Sequence, residues 1–309
     1  MVDQQRLATL DVVMNGLMRR YKERVPDVQG ILNAMIAEGV IQSEDDVEND
    51  HVAFRTMGVP HLGIASLEKI FLHYGYEKRD KYNFEQKRVT AFWYAPPTPK
   101  YPRIFISELR VHELSPEAVA IIRRYTDTVT SDPVDALDLD DGAAVDAFLH
   151  APLWRTPTLS DYLALAAESE FASWVIYNRY YLNHFTISVH NLLKYNTIAE
   201  FNDFVERHGF KLNDSGGKIK VSSDGLLIQS STVAEMVDAT FDDGRGGTVQ
   251  HRISGSYVEF AERRVLPQYA HVSAPTREHR RDGFEAANAD KIFESTYSAQ
   301  TAKRAADTM

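Results

Sequence analysis

The chain contains no cysteine. That excludes disulfides, iron–sulfur clusters, thiolate zinc sites and a Cys nucleophile, so any metal must be bound by His, Asp or Glu. No apolar run approaches the roughly 18 residues of a transmembrane helix, and no membrane span is expected. An excess of basic residues is also missing. Against 44 Asp and Glu there are 34 Lys and Arg, a formal charge of −10. That balance argues against a nucleic-acid partner, because phosphate binding normally needs a basic face. The opening residues, MVDQQRLATLDVV, lack the basic and apolar regions of a secretory signal, so the expected location is cytoplasmic. P-loop, GxSxG and SerxxLys patterns are absent. What is present is ordinary for a soluble globular protein: 309 residues, 44% hydrophobic and 25% charged. This length suits one large domain or two fused modules.

Periodicity divides the chain. Residues 4–22 and 27–38 read as amphipathic helices, the second stopped by Gly39. HVAFRT (51–56) then reads as a strand, SLEKIFLHY (66–74) as a helix closed by Gly75, and KRVTAFWYA (87–95) and RIFISELRV (103–111) as strands. That order recurs. HFTISVH (184–190) is a strand, and Thr197 with Glu200 forms a capping box that opens a helix stopped by Gly209. KIKVSSDG, LLIQSST and SYVEFAERR follow as strands. FLHYGYEKRD (71–80) matches VERHGFKLND (205–214), with an aromatic after the stop glycine and charged residues beyond. These features predict an α+β fold of two βαβββ modules, at 49–114 and 181–265. N-terminal helices (1–48), a helical insertion (115–180) opened by Ser115-Pro116, and a C-terminal segment (266–309) complete it. No low-complexity linker separates these parts, so one packed catalytic domain is expected. DDGRGG (242–247) precedes a strand and reads as a hairpin loop instead of a phosphate cradle.

His51 and His184 open equivalent strands of the two modules, which sets them apart from the other histidines. Two imidazoles with one carboxylate form the ligand set of a ferrous oxygenase. Glu259, in YVEFAER, is the carboxylate candidate, although alternation alone leaves it open between a ligand and a surface residue. Arg55 shares the strand face of His51, roughly 13 Å further along at ~3.3 Å per residue. Its planar fork suits a carboxylate. Glu108, taken as the first-module counterpart of Glu259, could be a fourth ligand, an acceptor behind a ligand histidine, or a structural ion-pair member.

DHVAFRT (50–56), PRIFISELRV (102–111), YLNHFT (181–186), GSYVEFAER (255–263) and RRDGFEAANADKIFESTY (280–297) together resemble the 2-oxoadipate dioxygenase/decarboxylase family. The resemblance spans nearly the whole chain. It implies a vicinal-oxygen-chelate-like mixed sheet or half-barrel and a mononuclear Fe(II) site formed by His51, His184 and Glu259. It also implies that Arg55 holds the substrate carboxylate. The implied reaction takes 2-oxoadipate and O2 to 2-hydroxyglutarate and CO2, in lysine breakdown. Gln229, in LLIQSST, is then either a donor to a substrate oxygen or a strand-edge glutamine. Two rival readings keep the fold: a glyoxalase-like isomerase or lyase with Glu108 as fourth ligand, and a non-catalytic protein that binds a small molecule.

Overall fold

The computed structural model describes residues 3–307. Helices α1 (Gln4–Arg24) and α2 (Pro26–Ala37) come first. The first module follows as β1 (Asn49–Met57), α3 (Ile64–His73), β2 (Glu77–Phe84), β3 (Val89–Ala95) and β4 (Arg103–Leu109). The insertion holds α4 (Pro116–Thr126), α5 (Gly142–Leu149), α6 (Leu159–Glu168) and α7 (Glu170–Asn178). The second module contains β5 (His184–Ser188), α8 (Ile198–Arg207), β6 (Lys220–Val221), β7 (Leu227–Ser231), the hairpin β8 (Met236–Asp242) and β9 (Thr248–Ser254), and β10 (Tyr257–Arg263). Two helices, α9 (Ala286–Ile292) and α10 (Ser298–Asp307), lie in the C-terminal segment. No helix of the described residues is long and apolar enough to cross a membrane.

The duplication is explicit in the sheet. Eight strands form a curled half-barrel in the order β2-β3-β4-β1-β5-β10-β7-β6. Outward from the antiparallel β1–β5 seam, each half repeats the same pattern: β1 pairs parallel with β4, and β5 pairs parallel with β10. His51 stands opposite Arg103, and His184 opposite Tyr257, which sets the correspondence between modules. Helix ends agree too. Gly75 and Gly209 both take φ 87°, a left-handed stop that glycine adopts without steric cost. Glu108 lies five residues past Arg103, Glu262 lies five past Tyr257, and each caps a helix. Glu108 Oε2 accepts from Ile64 N at 2.8 Å, and Glu262 Oε2 from Ile198 N at 2.9 Å.

Three features depart from expectation. β2 carries EKRDKYNF and is almost wholly exposed, so no apolar alternation marks it. It is an edge strand, where charge discourages pairing with another chain. KIKVSSDG pairs over Lys220–Val221 alone, and the β8–β9 hairpin forms a separate two-stranded sheet. As its glycines suggest, DDGRGG connects β8 to β9. The seam strands β1, β5 and β10 are buried along nearly their whole length. One sheet face meets the capped ends of α3 and α8; the other encloses the site.

Candidate metal centre

Three side chains from three neighbouring strands converge on that second face. His51 starts the parallel stretch of β1, His184 opens β5, and Glu259 lies two residues into β10. Their ligand atoms all fall within 4.8 Å of one another, and all three residues are buried. His51 Nε2 is 3.3 Å from His184 Nε2 and 3.4 Å from Glu259 Oε1, while His184 Nε2 is 3.0 Å from Glu259 Oε2. Among the described residues this is the one such cluster of three His, Asp or Glu ligand atoms.

The residue preceding each histidine fixes its ring. Asp50 Oδ1 lies 2.8 Å from His51 Nδ1, and Asn183 Oδ1 lies 3.2 Å from His184 Nδ1. Both oxygens are acceptors, so each Nδ1 carries the proton and each Nε2 presents a lone pair to the common point. Partners of this kind orient metal-binding histidines generally. The three groups act on one another's ionisation. Burial opposes ionisation of Glu259, but the two imidazoles beside it hold its carboxyl down at about 2. Burial also works against a charged His51, yet the Glu259 and Asp50 carboxylates raise its pKa. At His184 burial prevails and the pKa falls. Two imidazole nitrogens and an ionised carboxylate on one point, with the Thr186 hydroxyl 3.1 Å from His51 Nε2, fit a divalent first-row metal ion, whose charge would displace the proton that the carboxylates otherwise favour on His51.

A cavity of about 20 Å³ adjoins the three atoms, near the size needed for one water. Phe105, Tyr257, Phe284 and Phe293 are among its walls. A larger cleft of about 560 Å³ opens beside Arg24, Tyr177 and Asp238 but shares no residue with the cluster. Arg55 lies beyond Phe293, 1% exposed, with its guanidinium carbon 5.1–5.5 Å from the ring centres of Phe171, Trp174 and Phe293. Its hydrogen-bond partners are neutral: Nη1 donates to Thr296 Oγ1 and Nη2 to the Phe293 carbonyl, both at 2.9 Å. Nε and the buried Tyr257 hydroxyl each lack a well-formed hydrogen bond, though the two side chains face each other closely enough for Arg55 to stabilise the Tyr257 phenolate. Burial lowers the Arg55 pKa.

Two expectations change. Gln229 points at a ligand: its Nε2 donates to Glu259 Oε1 at 2.6 Å, and its own Oε1 accepts from Asn288 at 3.0 Å. Glu108 is neither a metal ligand nor a partner of a ligand histidine. It lies on the opposite sheet face, capping α3, and its true counterpart is Glu262. Register places Phe105, two residues past Arg103, where the second module has Glu259, two past Tyr257. A glyoxalase-like set of four ligands therefore has an aromatic ring in its fourth place. Asp50, Asn183, Phe284, Phe293 and Thr296 fall within the motifs that carry the resemblance, but no role is assigned to them there. Asp50 and Asn183 could have been found by comparing the residues that precede the paired histidines.

Comparison with known proteins gives a consistent picture. The family model for 2-oxoadipate dioxygenase/decarboxylase matches residues 13–274. The chain is 42% identical over 308 residues to the chloroplastic 2-oxoadipate dioxygenase/decarboxylase of Arabidopsis thaliana, covering 94% of this chain and 78% of that protein. It superposes with a TM-score of 0.87 and 40% identity on the crystal structure of hydroxyglutarate synthase from Oryza sativa in complex with 2-oxoadipate, over 97% of this chain and 96% of that one. A glyoxalase-superfamily protein from Ralstonia eutropha shares the fold at a TM-score of 0.69 and 23% identity, over 87% and 83% of the two chains. The chain belongs to the 2-oxoadipate dioxygenase/decarboxylase family.

Proposed function

We propose that this protein binds one Fe(II) through His51, His184 and Glu259 and converts 2-oxoadipate and O2 to 2-hydroxyglutarate and CO2, a step of lysine breakdown. The observation that carries this reading is the pairing, on one sheet face, of the three-ligand cluster with a buried arginine that has no carboxylate partner among the described residues. Iron would supply the Lewis acidity and redox electrons needed to activate O2 and the 2-oxo acid. The remaining work falls to the chain. One ionised ligand leaves a bound divalent ion with a net positive charge, and Arg55 adds a second, so the site is complementary to a dianion. Arg55 would take the distal carboxylate through its Nε and an adjacent N–H, orienting the carbon chain toward the metal. The Tyr257 hydroxyl would donate to a substrate oxygen, satisfying a buried group that lacks a well-formed hydrogen bond. Gln229 would hold the Glu259 carboxylate in place. Phe105, Phe284 and Phe293 would exclude water. Assay of the Fe(II)-loaded protein with a panel of 2-oxo acids, following O2 uptake and CO2 release, tests this. Equimolar uptake and release with 2-oxoadipate is expected, and turnover that persists without O2 would overturn it.

A further inference from the structure

A charged network lies behind His51, outside the cavity. Asp50, itself 1% exposed, accepts from Arg263 Nε at 2.6 Å, from Arg263 Nη2 at 2.9 Å and from Arg103 Nη1 at 3.3 Å. Arg103 Nε donates in turn to Asp282 at 2.6 Å. Arg263 also has a second set of partners: its Nη1 donates to the carbonyls of Arg281 at 3.0 Å and Gly283 at 2.7 Å. Gly283 turns the chain at φ 68°. The next residue is Phe284, whose ring stands edge-on to His51 with centroids 4.8 Å apart and forms a wall of the cavity. One guanidinium therefore grips both the carboxylate that orients His51 and the turn that seats Phe284. Behind His184 the corresponding positions are Asn183, Leu109 and Tyr257, all uncharged.

We infer that Asp50 and Arg263 are positioning residues that couple metal binding at His51 to closure of the cavity by the 281–284 turn. This rests on the metal reading of His51, His184 and Glu259. A metal on His51 Nε2 fixes the imidazole plane, and the Nδ1–H then fixes the Asp50 carboxylate. Arg263, held by that carboxylate along its Nε–Nη2 edge, presents Nη1 to the two turn carbonyls. Coupling of this kind is reciprocal, so whatever holds the turn also holds the metal. The asymmetry between modules gives the coupling a direction: only the His51 side has a charged link to a cavity wall from the C-terminal segment, while His184 is backed by a neutral amide.

The test needs no turnover. The amides of Arg281 and Phe284 donate to the Arg264 carbonyl at 3.0 Å and the Tyr82 hydroxyl at 3.2 Å, so their hydrogen exchange reads the seating of the turn. Co(II) binding by calorimetry reads the metal. In the unmodified protein, saturating Co(II) is expected to slow exchange at both amides by about fivefold or more, the low end of ordinary coupling. Arg263→Lys keeps the charge and loses the fork; it is expected to weaken Co(II) binding about tenfold and abolish the metal-dependent slowing. Asp50→Asn should abolish it too. Exchange at 281 and 284 that ignores Co(II), or slows no more than the amides of α4, overturns the coupling, and this arm stands even if a variant fails to fold. Should the unmodified protein bind no Co(II), or should binding survive His184→Ala, the metal reading fails instead.

Discussion

Arg55→Lys separates an anchoring role from a structural one. The guanidinium makes two hydrogen bonds, to Thr296 Oγ1 and the Phe293 carbonyl, and keeps a buried Nε without a well-formed hydrogen bond. A lysine keeps the charge, but its ammonium is a point donor on a flexible stem and cannot face a carboxylate along two parallel N–H bonds while also serving Thr296 and Phe293. Loss of the bidentate contact is expected to lower kcat/KM for 2-oxoadipate at least tenfold, about 1.4 kcal/mol of transition-state stabilisation. The Phe293 carbonyl keeps the Thr296 hydroxyl as a donor at 3.3 Å, so loss of the Nη2 bond should lower stability by only about 0.5–1.5 kcal/mol, read as a small fall in Tm. The assay compares kcat/KM for 2-oxoadipate with that for 2-oxohexanoate, which has the same carbon count and no distal carboxylate. Co(II) binding is followed in parallel and should not change. A large loss on the diacid with a small one on the monoacid is the expected pattern. Equal losses on both would show that Arg55 merely shapes the cavity, and the case for a dianionic substrate would lose its main support.

Gln229→Leu removes the donor to Glu259 Oε1 at similar size, and metal affinity measured by calorimetry should fall by about 10- to 100-fold, as for other partners behind metal ligands. Glu108→Ala and Glu262→Ala each remove a helix cap; each should lower stability in urea by roughly 1 kcal/mol while Co(II) affinity stays constant, and weakened Co(II) binding in Glu108→Ala would return that residue to the site. Lys220 is buried, and burial lowers its pKa to about 8. Between that value and the ordinary lysine range near 10.4 the unfolded chain holds a proton that the folded one has released, so this contribution to stability rises with pH across the window and is lost as pH falls back through about 8. Urea unfolding of the native protein and Lys220→Met at pH 8 and pH 10 should show the difference shifting toward the native protein at the higher pH, and a shift the other way would contradict the burial argument.

Local rules reached some of this and missed the rest for identifiable reasons. The module helices announced themselves because a stop glycine and a capping residue act within a few positions; Gly75, Gly209 and Thr197 behave as their types require. The β2 edge was silent because an exposed edge strand has no apolar face to conceal. His51 and Arg55 could be placed on one face by counting twos along a single strand. Across modules, counting by eye failed. Glu108 and Glu259 sit in similar motifs, but the parallel pairings put Glu108 five residues past Arg103, the partner of His51, and Glu259 two past Tyr257, the partner of His184. An odd offset of three between them means opposite faces, so one carboxylate caps a helix while the other joins two histidines. The roof of the cavity was less accessible still. Thr296 meets Arg55 across 241 positions of sequence, and no spacing rule links residues so far apart. That distance also bears on function. The chemistry-bearing side chains stand on the rigid seam of the sheet, whereas Phe284, Phe293 and Thr296 come from the C-terminal segment. Ligand geometry and cavity closure are thus encoded in separate parts of the chain. The Asp50–Arg263 pair is one place where a buried charged contact joins them, so a change there should disturb both at once.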